Sequence, residues 1–149
     1  LTLFVSDFLY YALRNEQRNI SLFDYIEKSL EWLDDKSESF ANFHLVFMLH
    51  LTRFIGLYPN VEIEVNCSFF DLREGRFVAF PPLHPDYLCP QESVLISKLL
   101  CMDYSSMSSL ILSHAERNHI TEIILHYYRL HVPDFPELKS FDVLKQLYS

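Results

Sequence analysis

The sequence predicts a mainly α, compact helical domain with a β-hairpin insertion, and three observations carry that prediction. Apolar residues recur at helical spacing from the start of the chain to about Ile55, and again from about Glu92 to Tyr148. Between Val61 and Phe69 the period switches to two. Four of the seven prolines then crowd into one stretch, "FPPLHPDYLCP". With 149 residues, 50% of them hydrophobic, the chain is long enough to bury one core, so residues 1–149 are expected to form a single domain with its hairpin and Pro-rich insertion at about 61–90.

The first helix is expected from Thr2 to about Glu16. Phe4, Phe8 and Tyr11 fall on one stripe and Val5, Leu9 and Leu13 on the next, which suits a helix buried on most sides. Ser21 reads as the N-cap of a second helix, "LFDYIEKSLEWLDD", with Phe23, Ile26, Leu30 and Leu33 inward and Asp24 in the first turn. A third, from about Phe40 to Ile55, presents Phe43, Phe47, Leu51 and Phe54 and stops near Gly56 and Pro59, as the core helix should. Val61, Ile63, Val65, Cys67 and Phe69 alternate with Glu62, Glu64, Asn66 and Ser68, and two short strands flank the turn "DLREGRF". The Pro-rich stretch reads as an irregular connection. Helices resume with "ESVLISKLLCM" and a short "SSMSSLIL". Ser113 and Glu116 match a capping box before a helix that buries Ile120, Ile123, Ile124 and Tyr127. Pro133 and Pro136 end that helix, and Phe141, Leu144 and Tyr148 line a last short one.

Composition excludes several classes. The most apolar run, "FHLVFMLHLTRFIGLY", is interrupted by His44, His50 and Arg53 and falls short of a membrane span. Twelve basic against 20 acidic residues give a formal charge of −8, opposite in sign to a nucleic-acid footprint, so any DNA contact here needs a local basic patch. The two glycines, Gly56 and Gly75, stand apart and form no phosphate loop. Three cysteines without C-x-x-C spacing suit neither a disulfide framework nor a four-thiolate zinc site, and point to a reducing cytoplasm. The opening residues lack an initiator Met and a signal-peptide pattern, and read as a cut inside a longer protein.

No catalytic constellation emerges. His114, His119, His126 and His131 follow one another at steps of 5, 7 and 5, not the i, i+3 or i, i+4 spacing that lets two imidazoles on one helix face share a metal. Cys67 with His84 or Cys89 lacks a flanking nucleophile motif and reads as an inert thiol; Glu62 and Glu64 read as solvated. Arg117, Arg129, Lys139 and Lys145 all fall in the last third of the chain. Beside Tyr127, Tyr128 and Phe141 they suit a cationic rim around an apolar pocket, as an acidic peptide with an apolar end would require.

Taken in order, "FLYYALRNEQRNISLFDYIEKSLEWLD", "FHLVFMLHLTRFIGLYPN", the "REGRF" hairpin and the closing "HYYRLHVPDFPELKSFDVLKQLY" resemble the C-terminal part of the bacterial DNA repair protein RecO family over essentially the whole chain. The Leu138-Lys139-Ser140 step before the final helix is part of that match. The resemblance implies a recombination mediator rather than an enzyme, working in the cytoplasm at the nucleoid. Such a protein binds single-stranded DNA-binding protein through its acidic C-terminal tail, acts with RecR to promote RecA loading, and anneals strands. Single-stranded DNA itself would be held mainly by an N-terminal OB-fold absent from this chain. Many members flank the central hairpin with C-x-x-C zinc pairs; here that region keeps only Cys67 and Cys89, so neither zinc nor any other cofactor is expected. Carried onto this sequence, peptide docking falls to Phe43, Phe47, Arg53, Arg129 and Lys139. The competing reading is a helical protein-interaction scaffold without a role at DNA, and a metal-dependent hydrolase using His126 or His131 is a distant third.

Overall fold

A computed structural model describes residues 1–35, 40–61 and 68–147. Among the described residues six helices accompany a small three-stranded antiparallel sheet, in the order β2 (Arg76–Val78), β1 (Phe69–Asp71), β3 (Tyr87–Leu88). The expected segment 62–67, with Cys67, Glu62 and Glu64, lies outside the described residues, as does Tyr148.

The centre of the molecule is α3 (Phe43–Leu51), which packs against α2 (Ile20–Asp35), α4 (Pro90–Cys101) and α5 (His114–His131). It is buried around its whole circumference from Phe43 to Leu49, which explains a sequence apolar on every face. The helix is shorter than its periodicity suggests: Thr52–Phe54 tighten into a 3₁₀ turn. Gly56 then adopts φ 77° and the Leu57 N–H reaches back to the Thr52 carbonyl at 2.9 Å, the bond that closes a helix on a left-handed glycine.

α1 (Thr2–Leu13) ends a turn early, and it is not buried on most sides. Phe4, Val5, Phe8 and Ala12 face the core, while Leu3 and Tyr10 are 64% and 62% exposed. α2 is capped by Asn19, whose Oδ1 accepts from the Leu22 N–H at 3.2 Å; Ser21 lies inside the helix instead. Its inward face is wider than the apolar reading and departs from it at Phe23. Ile26, Leu30 and Leu33 pack against the core as expected, whereas Leu22, Tyr25, Ser29 and Trp32 also turn inward and Phe23 turns out, because Tyr25 and Ser29 have polar partners in the interior. Tyr25 donates to the Phe47 carbonyl at 2.9 Å, and the Tyr104 hydroxyl donates to Ser29 Oγ at 2.7 Å. Around them Trp32, Tyr104, Phe43, Phe47, Tyr25 and Phe54 form a run of stacked rings with centroids 4.8–5.7 Å apart.

The hairpin forms as expected from β1 (Phe69–Asp71) and β2 (Arg76–Val78), in the register Phe70↔Phe77. The Pro-rich stretch is not wholly irregular. Once past Pro85 the chain regains free N–H groups, and β3 (Tyr87–Leu88) pairs with β1. Phe70, Phe77 and Leu88 form the inner face of the sheet, and α4 packs against β1 and β3.

α4 starts with Pro90 in its first turn. α5 is capped by Ser113, whose side chain accepts from the Glu116 N–H at 3.1 Å. Ile120, Ile123, Ile124 and Tyr127 are buried as expected, with Thr121, Leu125 and Tyr128 beside them. The helix stops at His131 before Pro133, and α6 (Lys139–Leu147) returns to pack on α1. Ser140 donates to Asp7 Oδ2 at 2.6 Å, and the Phe141 and Phe4 rings lie 6.0 Å apart.

Candidate functional site

The α5 histidines are dispersed over different partners. His126 Nε2 lies 2.9 Å from Asp86 Oδ1, His131 Nε2 donates to the Leu72 carbonyl at 2.7 Å, and His119 bonds Glu92. Beneath them His84 Nδ1 accepts from the Asp86 N–H, so its Nε2 carries the proton donated to Asp71 Oδ1 at 3.0 Å. Arg73 Nε donates to Asp86 Oδ2 at 2.7 Å. The bonds from His126 and Arg73 hold the Asp86 carboxyl below its ordinary range. These side chains pin the sheet and the Pro-rich loop to α5. Among the described residues no group of three or more His, Cys, Asp and Glu converges on a point that would hold a metal ion.

A different polar cluster sits where the N-terminal ends of α3 and α5 meet the turn at 107–112. Asn42, just before α3, is buried. Its Nδ2 donates to the carbonyls of Met107 (3.0 Å) and Leu110 (2.8 Å), and its Oδ1 accepts from Arg117 Nε at 3.1 Å. Arg117 Nη2 also donates to the Leu112 carbonyl at 3.2 Å. Among the described residues no carboxylate lies within ion-pair distance of this guanidinium.

Two hollows meet at Arg117. One is lined by Leu1, Phe40, Ala41, His44, His114, Asn118 and Leu144. The other runs past Ala41, Met107, Leu110 and Ile111, the last of these 90% exposed. The result is a groove with apolar walls and one immobilised cation in the first turns of α5, where the helix dipole also favours an anion. Behind it His44 Nε2 must donate to Thr121 Oγ1 (2.9 Å), because that hydroxyl gives its own proton to the Arg117 carbonyl. Burial, with Arg117 adding to it, pushes the His44 imidazole down to about 3, so the ring is neutral.

The residues expected to dock a peptide are not brought together. Phe43 and Phe47 are fully buried in the ring stack, and no surface of either is open to a partner; their spacing fitted a docking face and a core face equally. Arg53 lies on the 3₁₀ turn after α3, over the Tyr58 ring at 4.7 Å and bonded to its hydroxyl. Arg129 is half-buried in the last turn of α5. Lys139 is exposed at the start of α6, beside a shallow hollow lined by Leu3, Ser6, Asp7 and Val143. Arg117 was visible in the sequence only as one of four late basic residues. Its distinguishing signal, a buried Asn 75 positions earlier, is a tertiary contact.

A family model described as "Recombination protein O C terminal" matches residues 1–140. The protein named "DNA repair protein RecO" from Phocaeicola vulgatus is 48% identical over 149 residues, covering 100% of this chain and 62% of that protein. Its namesake from Bacteroides fragilis is 45% identical over 99% of this chain and 62% of its own length. That from Flavobacterium johnsoniae is 32% identical over 100% of this chain and 61% of its own length. The chain thus spans about three fifths of the curated relatives it matches. No solved structure matches it significantly.

Proposed function

Because the chain belongs to the recombination protein O family, matched through that protein's C-terminal part, we propose that it serves DNA repair as the partner-docking part of a recombination mediator. In this reading the groove at Arg117 receives the acidic, Phe-terminated tail of single-stranded DNA-binding protein. The terminal ring enters an apolar hollow, and the guanidinium meets the carboxylate. With RecR, the protein then lets RecA replace that tail's owner on the strand, and it supports annealing of complementary strands. Single-stranded DNA is held mainly by an OB-fold preceding this region, which fits the chain's formal charge of −8. The work is binding and exchange in the cytoplasm at the nucleoid, without covalent chemistry or a cofactor.

The observation that carries the reading is the immobilised Arg117 at the junction of two apolar-walled hollows, without a carboxylate partner among the described residues. Fluorescence anisotropy of a labelled tail peptide, titrated at two salt concentrations, tests it. Saturable binding that weakens with salt and vanishes when the terminal Phe is removed is the expected result. Arg117→Ala should weaken binding by about 1 to 3 kcal/mol with the fold intact. Lack of binding at high micromolar protein, or equal binding by Arg117→Ala, would overturn this placement of the tail.

A further inference from the structure

We propose that Asn42 is a positioning residue: it fixes the Arg117 guanidinium as a two-pronged fork and so makes the groove selective for peptides that end in a free carboxylate. The proposal rests on the docking reading above and adds to it the residue that sets specificity.

Asn42 occupies the N-cap of α3, where an Asn side chain ordinarily accepts a bond from the first turn of its own helix. It makes no such cap bond. Its Oδ1 accepts from Arg117 Nε instead, so a local contribution to α3 is forgone in favour of a residue 75 positions away. The orientation of the amide is unambiguous. Both Nδ2 protons are taken by the Met107 and Leu110 carbonyls, which can only accept, and Oδ1 is left facing a group that can only donate.

The consequence for Arg117 follows from guanidinium geometry. Nε–H and the Nη2–H beside it form one edge, and that edge is occupied by Asn42 Oδ1 and the Leu112 carbonyl. The Nη1–Nη2 edge keeps two parallel N–H groups, the arrangement that meets both oxygens of a carboxylate. An amide end presents one acceptor and an N–H that clashes with a donor. The clamp therefore converts a diffuse positive charge into a directional reader of the chain terminus. Because Asn42 also holds the 107–110 turn, it sets the fork in register with the wall formed by Leu110 and Ile111.

The test compares a short labelled acidic peptide ending in Phe as the free acid with the same peptide as its C-terminal amide, by anisotropy against the wild-type protein. Wild type should prefer the free acid by about tenfold or more. Asn42→Ala should reduce that ratio to near one, any loosening of the 107–110 wall weakening both peptides alike and leaving the ratio as the readout. In an Arg117→Met background, Asn42→Ala should have no further effect on the ratio. A purely structural role for Asn42 would lower both affinities in parallel and preserve the preference, which would overturn the proposal. Arg117→Lys guards against an Asn42 variant that fails to fold. It keeps the charge but not the fork, so it should lose the preference, and retention of the full preference by Arg117→Lys would equally overturn the proposal. Binding of neither peptide by wild type would instead bring down the docking reading itself.

Discussion

Gly75 closes the hairpin turn at φ 67°, and a Cβ built there would lie 2.8 Å from the Tyr127 hydroxyl. Two penalties therefore coincide: a left-handed backbone that L-residues avoid, and a collision with a hydroxyl that donates to the Leu57 carbonyl at 2.7 Å. Gly75→Ala should cost roughly 2 kcal/mol in urea unfolding followed by the fluorescence of the single Trp32. In a Tyr127→Phe background the collision is gone, and the same substitution should cost about half as much, the coupling being read from the double-mutant cycle. Sequence marked Gly75 as a turn residue, whereas its tight fit against Tyr127 is tertiary. Arg117 shows the same boundary. Its charge was legible, but nothing within reach along the chain says that Asn42 and the Leu112 carbonyl hold it.

Among the elements, α3, α5 and the hairpin were legible because their signals are local and mutually consistent: an apolar run bounded by Gly56, a Ser113 cap, and the turn signal "DLREGRF" between two short apolar segments. α2 was harder. Its apolar stripe of Phe23, Ile26, Leu30 and Leu33 competes with a neighbouring stripe in which Tyr25, Ser29 and Trp32 carry polar atoms. The second stripe joins Ile26, Leu30 and Leu33 inside and leaves Phe23 out, since Phe47 O and Tyr104 in the interior bond Tyr25 and Ser29. β3 was missed because proline density masked two proline-free residues with a strand edge waiting beside them. The start of α2 rests on Asn19, which also donates to the Phe54 carbonyl at 3.4 Å. Asn19→Ala should cost about 1 kcal/mol, whereas Ser21→Ala should change stability by a few tenths at most. Urea midpoints of the two variants decide which residue is the cap.

At the scale of the whole molecule, the interior imposes a pH dependence. The unfolded chain protonates His44 at an ordinary imidazole pKa near 6.5, whereas the folded one resists protonation down to about 3. The unfolded state therefore binds more protons throughout that interval. Stability is fully present above about pH 6.5 and falls as pH decreases towards 3, by up to about 1.4 kcal/mol per pH unit from this group. His50 is shifted in the same direction by burial and by Arg53, and adds to the trend. Urea titrations between pH 7 and 4.5 should show the decline, and His44→Gln, which keeps a donor for Thr121, should flatten it. An unchanged slope in that variant would show that His44 is protonated in the folded state.

The pairing of α1 with α6 also sets the order of events during synthesis. Phe4 and Phe8 are synthesised before Phe141, which covers part of that face and is about 130 residues behind. At ordinary elongation rates of about 5 to 20 residues per second, α1 waits roughly 6 to 25 s for that part of its cover. Phe47 and Tyr128 can reach Phe8 sooner, but the side of Phe4 that Phe141 covers stays open until α6 arrives. The docking of α6 on α1 is thus a late, long-range event that a chaperone has time to attend.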